Sequence, residues 1–112
     1  MLVKGSLDAA SAPVTDVGAK GARIAVLIGP EDGAPNFIMR RIELQSGGCT
    51  PHHSHPWEHV VYILEGEGFL TGETGDLELK PGDSVFVKPD EVHQFRARED
   101  SPLTFLCSIP RR

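Results

Sequence analysis

Four of the five histidines in this chain fall within nine residues, Pro51-His52-His53-Ser54-His55-Pro56-Trp57-Glu58-His59. His53, His55 and His59 share odd parity, and in an extended chain residues of one parity lie on one face. His93 stands far along the chain in a second apolar stretch, where a neighbouring strand would bring it beside them. Neutral imidazole is the commonest protein metal ligand, and a His-x-His pair is a natural strand-borne bite for one ion. A lone histidine is more often a turn residue, a surface residue or one satisfied by a carbonyl. Three on one strand face with a fourth able to join them point instead to a divalent ion held at roughly 2.0 to 2.2 Å. By ligand type alone Mn, Fe, Co, Ni, Cu or Zn would serve. His52 has the opposite parity and is left out of the set.

The elements that must carry these residues read as short strands. Residues 22–28 form a β-branched run stopped by Gly29-Pro30, which marks a strand and a turn. Residues 36–44 are the next strand, with Ile38, Arg40, Ile42 and Leu44 on its more apolar face. Gly47-Gly48 allows a bend before the histidine strand, which continues through residues 60–64 after a kink at Pro56. Short strands at 69–71, 77–79, 84–87, 92–97 and 103–109 follow, separated by Gly- and Pro-bearing turns. About nine strands at regular turn spacing, with no convincing helical period, predict an all-β sandwich or barrel.

Composition narrows the class. A chain of 112 residues is the size of one domain with one core. The expected division is a loose N-terminal arm over residues 1–20, able to exchange with a second subunit, and a barrel over residues 21–112. The formal charge of -5 argues against a nucleic-acid surface, which needs a basic stripe, so a small-molecule partner is expected. No apolar run reaches the roughly 20 residues that span a bilayer, and no leader pattern is visible at the N-terminus; no membrane partner and a cytoplasmic setting are expected. Two cysteines, Cys49 in a Gly-rich turn and Cys107 in an apolar strand, read as free thiols.

If the sheet closes, parity turns Val61, Ile63, Phe95, Phe105 and Cys107 inward with the histidines, an apolar chamber around one polar point. Arg40 has two readings: a packed stem whose guanidinium reaches water at the barrel mouth, or a clamp for an anionic substrate. Cys107 is either a small core hydrophobe or a contact for ligand. Trp57 is either a lid or an edge packing residue.

The chain resembles a single-domain cupin. The first cupin motif, G-x5-H-x-H-x3,4-E-x6-G, falls on Gly47, His53, His55 and Gly66, and the second, G-x5-P-x-G-x2-H-x3-N, on Gly82 and His93. The resemblance implies a double-stranded β-helix, or jelly-roll barrel. Four positions depart from it: His59 stands at the glutamate, Lys88 and Asp90 at the Pro and Gly of the second motif, and Ala97 at its Asn. Imidazole in place of carboxylate leaves the dication its full charge, a stronger Lewis acid and anion binder. Glu58 has the wrong parity and sits one residue short, so His59 is preferred as the ligand. The Pro-Trp-Glu-His continuation is similar to four-histidine cupins associated with manganese, which implies Mn2+, with Fe2+ as the alternative.

Two functions follow. One is a Mn- or Fe-dependent oxidoreductase of dioxygenase type, with Arg40 and Cys107 as candidate catalytic residues; four imidazoles leave two octahedral positions for dioxygen and substrate. The other is a metal-dependent binding or sensor module without turnover. A lyase or isomerase would need an acid or base that parity does not place in the pocket. A homodimer is expected from the resemblance and from the doubly apolar strand around Tyr62.

Overall fold

The computed structural model describes residues 1–5 and 9–112; residues 6–8 of the predicted arm lie outside the described residues. Among these there are nine strands: β1 (Ala12–Pro13), β2 (Lys20–Ile28), β3 (Phe37–Cys49), β4 (His59–Gly66), β5 (Gly68–Gly72), β6 (Gly75–Leu79), β7 (Ser84–Val87), β8 (Gln94–Ala97) and β9 (Leu103–Pro110). A short 3-10 turn, Pro30–Asp32, is the one helical element among the described residues.

The strands form one curled sheet in the order β6-β5-β8-β3-β9-β4-β7, with β2 paired to β3 and β1 to β2. Every pairing is antiparallel. The all-β barrel expected from turn spacing is the architecture observed.

Alternation sets which side of each strand is dry. On β9, Leu103, Phe105, Cys107 and Ile109 are buried while the residues between them are half-buried. On β4, His59, Val61 and Ile63 are buried and Val60, Tyr62 and Leu64 are exposed. The registers align these faces: Ile42 opposes Phe105 and Phe105 opposes Ile63, while Arg40 opposes Cys107 and Cys107 opposes Val61. Side chains directly opposed across a ladder share a face, so Arg40 is carried to the inner face beside Cys107. Phe105, Leu44, Ile63, Leu103 and Val61 are shut off from water, each contributing roughly 1.5–3 kcal/mol by burial.

Two expectations about the middle of the chain are corrected. The Gly47-Gly48 pair does not end a strand; it lies inside β3, where the chain advances from Leu44 to Cys49 while β2 advances only from Ala22 to Lys20. Gly47, with φ 74°, supplies the left-handed turn of this bulge. The histidine stretch is also not a continuous strand. Residues 54–58 are irregular, His53 forms an isolated bridge with His93, and β4 begins only at His59. Pro51 and Pro56 remove two ladder donors there, and β8 likewise starts at Gln94, one residue after His93.

The stretch read as an arm contributes β1. Ala12 pairs with Ile24 and Pro13 with Arg23, Val14 donates its N–H to Ala22, and its side chain packs on the core. Both cysteines are free thiols.

Candidate metal centre and its cavity

Backbone hydrogen bonds bring the four histidines together. His53 and His93 exchange N–H···O bonds of 3.1 and 2.9 Å, which sets their side chains next to each other on paired segments. Thr50 anchors the start of this segment: its N–H donates to the carbonyl of Phe95 and its hydroxyl accepts the Phe95 N–H, both at 2.9 Å. His55 is tied down by its carbonyl, which accepts the Asp90 N–H at 2.6 Å. Asp90 has φ 66°, the left-handed conformation that the glycine of the second cupin motif would supply. Asp tolerates that region better than most residues, so the turn keeps its shape despite the substitution. His59 arrives separately, on the buried face of β4.

The rings converge. Centroid separations are 4.2 Å for His53–His55, 5.0 Å for His53–His93, 4.8 Å for His59–His93 and 5.4 Å for His55–His59. Glu58 is exposed, while His59 is only 5% exposed. His52 is also exposed, as its parity implied.

The surroundings of His53, His55 and His59 favour the neutral imidazole. Burial, reinforced by neighbouring His55 and His93, lowers the His53 pKa to about 4. Burial, then His93 and Arg40, lowers that of His59 to about 3, and burial with His93 lowers His55. Neutral imidazole is the form that binds metal. His93 Nδ1 lies 2.9 Å from the carbonyl oxygen of Glu91. A carbonyl only accepts, so Nδ1 carries the hydrogen of this bond, which leaves Nε2 as the ring nitrogen a metal could take.

The cluster lies on the wall of a cavity of about 380 Å³. Among the described residues, the buried side-chain atoms without a hydrogen-bond partner are Arg40 Nε, Trp57 Nε1 and His59 Nδ1, and all three residues line this cavity. Unsatisfied buried polar atoms are rare in folded chains, and here they gather in one chamber. A buried His59 Nδ1 with no partner suits a metal ligand, as do the neutral state and fixed tautomer of its neighbours. The donors are not yet set for coordination: among the described residues no group of three or more His, Cys, Asp or Glu side chains is arranged to hold an ion. The rings pack edge-on, at 61° and 62° in three of the pairs, and must turn about their side-chain torsions to share one.

Of the predicted pocket residues, Phe95, Phe105 and Cys107 line the cavity, and Phe95 and Phe105 stack at 4.5 Å. Val61 and Ile63 do not; they are 1% and 0% exposed and lie further round the sheet, in the core. Arg40 lines the cavity and donates to Cys107 Sγ at 3.0 Å. Burial pushes the Cys107 thiol pKa up against the pull of Arg40. Trp57 stacks on His55, and the Arg112 guanidinium sits 3.6 Å from the Trp57 ring centroid. Sequence reasoning missed Pro13, Asp16, Ile24, Ile42, Thr50 and Arg112 on the lining. Ile42 was legible from its parity with Arg40; Asp16 lies in a stretch with no periodic signal at all.

A larger groove of about 630 Å³ runs outside, between the β5–β6 hairpin and the loop after β7. It is lined by polar and apolar groups alike and touches the cluster only at His93. No helix among the described residues is long and apolar enough to cross a membrane.

Residues 40–109 match the model of the Cupin domain family. The structure of the polyketide cyclase RemF from Streptomyces resistomycificus superposes with a TM-score of 0.93 at 33% identity, covering 98% of this chain and 79% of that one. An acireductone dioxygenase from Exiguobacterium sibiricum is 30% identical over 100 residues, 84% of this chain and 53% of that protein. An oxalate-binding protein from Thermotoga maritima is 32% identical over 73 residues, 64% of this chain and 60% of that protein. The chain spans about half the length of most curated relatives it matches.

Proposed function

Because this chain belongs to the cupin family, we propose that its histidine cluster holds a divalent metal ion and that the protein is an enzyme acting on a small, carbonyl-rich organic substrate. The observation that carries this reading is the gathering of four imidazoles, an orphaned His59 Nδ1 and an aromatic wall in one chamber. His53, His55, His59 and His93 would hold the ion, Mn2+ first and Fe2+ second. When bound, it supplies a Lewis acid that polarises a substrate carbonyl or enol oxygen.

The chain's own residues define the rest. Phe95 and Phe105 offer a flat apolar wall, extended by Ile42 and Ile109, which orients an unsaturated substrate and keeps water off it. Asp16 brings a carboxylate to the cavity lining, the base that the sequence did not reveal. That group can take a proton from a carbon next to a carbonyl; the resulting carbon nucleophile can attack a second carbonyl carbon of the same molecule, and the alkoxide oxygen so formed takes the proton back from the Asp16 carboxyl. Ring closure without redox change is therefore the first reading, supported by the likeness to the polyketide cyclase across nearly the whole chain.

The second reading is a dioxygenase, favoured by the relative of that activity and by the all-imidazole ligand set. A binding module without turnover has the oxalate-binding relative in its favour. A homodimer is proposed through the exposed apolar face of β4 and β7.

The deciding experiment is elemental analysis of protein purified without added metal, followed by incubation of Mn- and Fe-loaded protein with poly-β-carbonyl and keto-enol compounds, with and without oxygen. Cyclised product under anaerobic conditions supports ring closure. Product formed only with oxygen uptake supports the dioxygenase, a filled site with no product supports the binding module, and absence of metal overturns all three.

A further inference from the structure

We propose that the substrate carries a carboxylate and that Arg40 is the residue that binds it, which makes the substrate class a small unsaturated carbonyl acid. The proposal rests on the reading of the cavity as a substrate site and adds to it a recognition element remote from the histidine cluster in sequence.

Register places Arg40 on the inner face of β3, opposite Cys107 and level with Ile42. Arg40 is half-buried there, and a guanidinium is a permanent cation whose donors need acceptors wherever they are shut off from water. Its neighbour Arg41 pairs with Glu43 at 2.9 Å. Arg40 has no such partner: the ion pairs among the described residues are Lys4–Asp32, Arg41–Glu43, Lys80–Asp83, Arg96–Asp76 and Arg98–Glu78. Its one protein acceptor is the sulfur of Cys107, and sulfur accepts weakly.

A long cation at a barrel mouth can simply reach out to water. That accounts for only part of the half-buried Arg40 head group, because its Nε is sealed from water and has no acceptor. What remains is a planar donor set beside a ligand cavity with hydrogens to spare, a geometry matched to carboxylate. The charge balance agrees. The protein carries a formal charge of -5, yet the cavity is lined by Arg40 and Arg112 against the single carboxylate of Asp16. Arg112 is engaged over the Trp57 ring, which leaves Arg40 as the anion site. Cys107 holds the guanidinium in place without neutralising it.

The test compares cinnamate with cinnamamide, an acid and its neutral amide of the same shape, by isothermal titration calorimetry near neutral pH. Wild type, Arg40→Lys and Arg40→Met are measured as purified and again after EDTA treatment. Wild type should bind the acid at least about tenfold more tightly than the amide, as expected for a hydrogen bond to a charged group. Arg40→Met should remove most of that preference while leaving amide binding in place, and Arg40→Lys should retain part of it. Equal binding of acid and amide by wild type overturns the proposal, as does a folded wild-type protein that binds neither. An acid preference that survives Arg40→Met also overturns it, since the histidine cluster would then be the acid's partner. If Arg40→Met shows no cooperative melt, Arg40→Lys decides, and an unchanged acid-to-amide ratio in that variant overturns the assignment. Metal content separates the two readings: Arg40-dependent acid binding by a protein that holds no metal sinks the metal enzyme and leaves this inference standing, and a filled metal site with no Arg40 dependence does the reverse.

Discussion

Trp57 lies flat against His55, with ring centroids 4.4 Å apart and planes inclined by 7°. The stack fixes the orientation of one imidazole of the cluster, and Trp57 is the single tryptophan of the chain. Its emission should therefore change when Mn2+ or Zn2+ is titrated into metal-free protein. Trp57→Leu should weaken metal binding by about tenfold, in the range seen when a supporting contact of a ligand is lost. A titration that leaves the fluorescence flat while metal content rises would separate His55 from the site.

His59 and Glu58 are adjacent but face opposite ways. His59→Ala should drop metal content from near stoichiometric to a small fraction, beyond the roughly 10–100-fold affinity loss that follows removal of an outer partner. Glu58→Ala should leave metal content unchanged. Inductively coupled plasma measurements on the two purified variants check both, and the opposite pattern would transfer the ligand role to the glutamate.

Stability should depend on pH through the same histidines. In the folded chain His53 ionises at about 4 and His59 at about 3, both below the ordinary 6.5. Between those values and 6.5 the unfolded chain binds more protons than the folded one, so acid favours unfolding. The contribution is fully present above about 6.5 and is lost as pH falls through about 4 and then about 3. Thermal melts of EDTA-treated protein should show Tm declining steadily through this window. His59→Gln should flatten the decline.

Asp90 holds a left-handed turn at φ 66°, a conformation that disfavours residues with a Cβ by roughly 1 kcal/mol. Asp90→Gly should raise Tm slightly or leave it unchanged, with the bond from residue 90 to the His55 carbonyl intact. Asp90→Val should lower Tm and loosen His55. Differential scanning calorimetry distinguishes the pair, and equal effects would show that backbone conformation is not what this position contributes.

The outer face of β4 and β7 exposes apolar side chains. Val60, Tyr62 and Phe86 are 56%, 45% and 60% exposed, and Val60 directly opposes Phe86. Tyr62→Glu should convert a dimer to a monomer in sedimentation velocity without lowering metal content. A wild-type protein that sediments as a monomer would remove the expectation.

The barrel could be read from the sequence because its signals are local. Turn residues recur at short intervals, and strand parity groups His59 with Val61 and Ile63, and Phe105 with Cys107, before any coordinates are known. The histidine cluster was legible for a partly different reason. His59 obeys strand parity, but His53 and His55 reach the site from an irregular segment pinned by the His53–His93 bridge and by Asp90, so their shared parity coincided with convergence and did not cause it. Val61 and Ile63 show the limit of parity: it decides in from out, but curvature decides which inward residues meet the cavity and which meet the core. Asp16 and Arg112 were not legible because their positions depend on long-range packing of weakly patterned segments.

The pairing of β1 involves two residues, and the segment that follows it, Val14 to Asp16, forms part of the cavity wall. A strand so short is secured by few ladder hydrogen bonds and can detach at a small fraction of the cost of unfolding the barrel. If ligand exchange follows the peeling of this strap, residence time can be tuned at Ala12, which pairs with Ile24 and is not on the cavity lining.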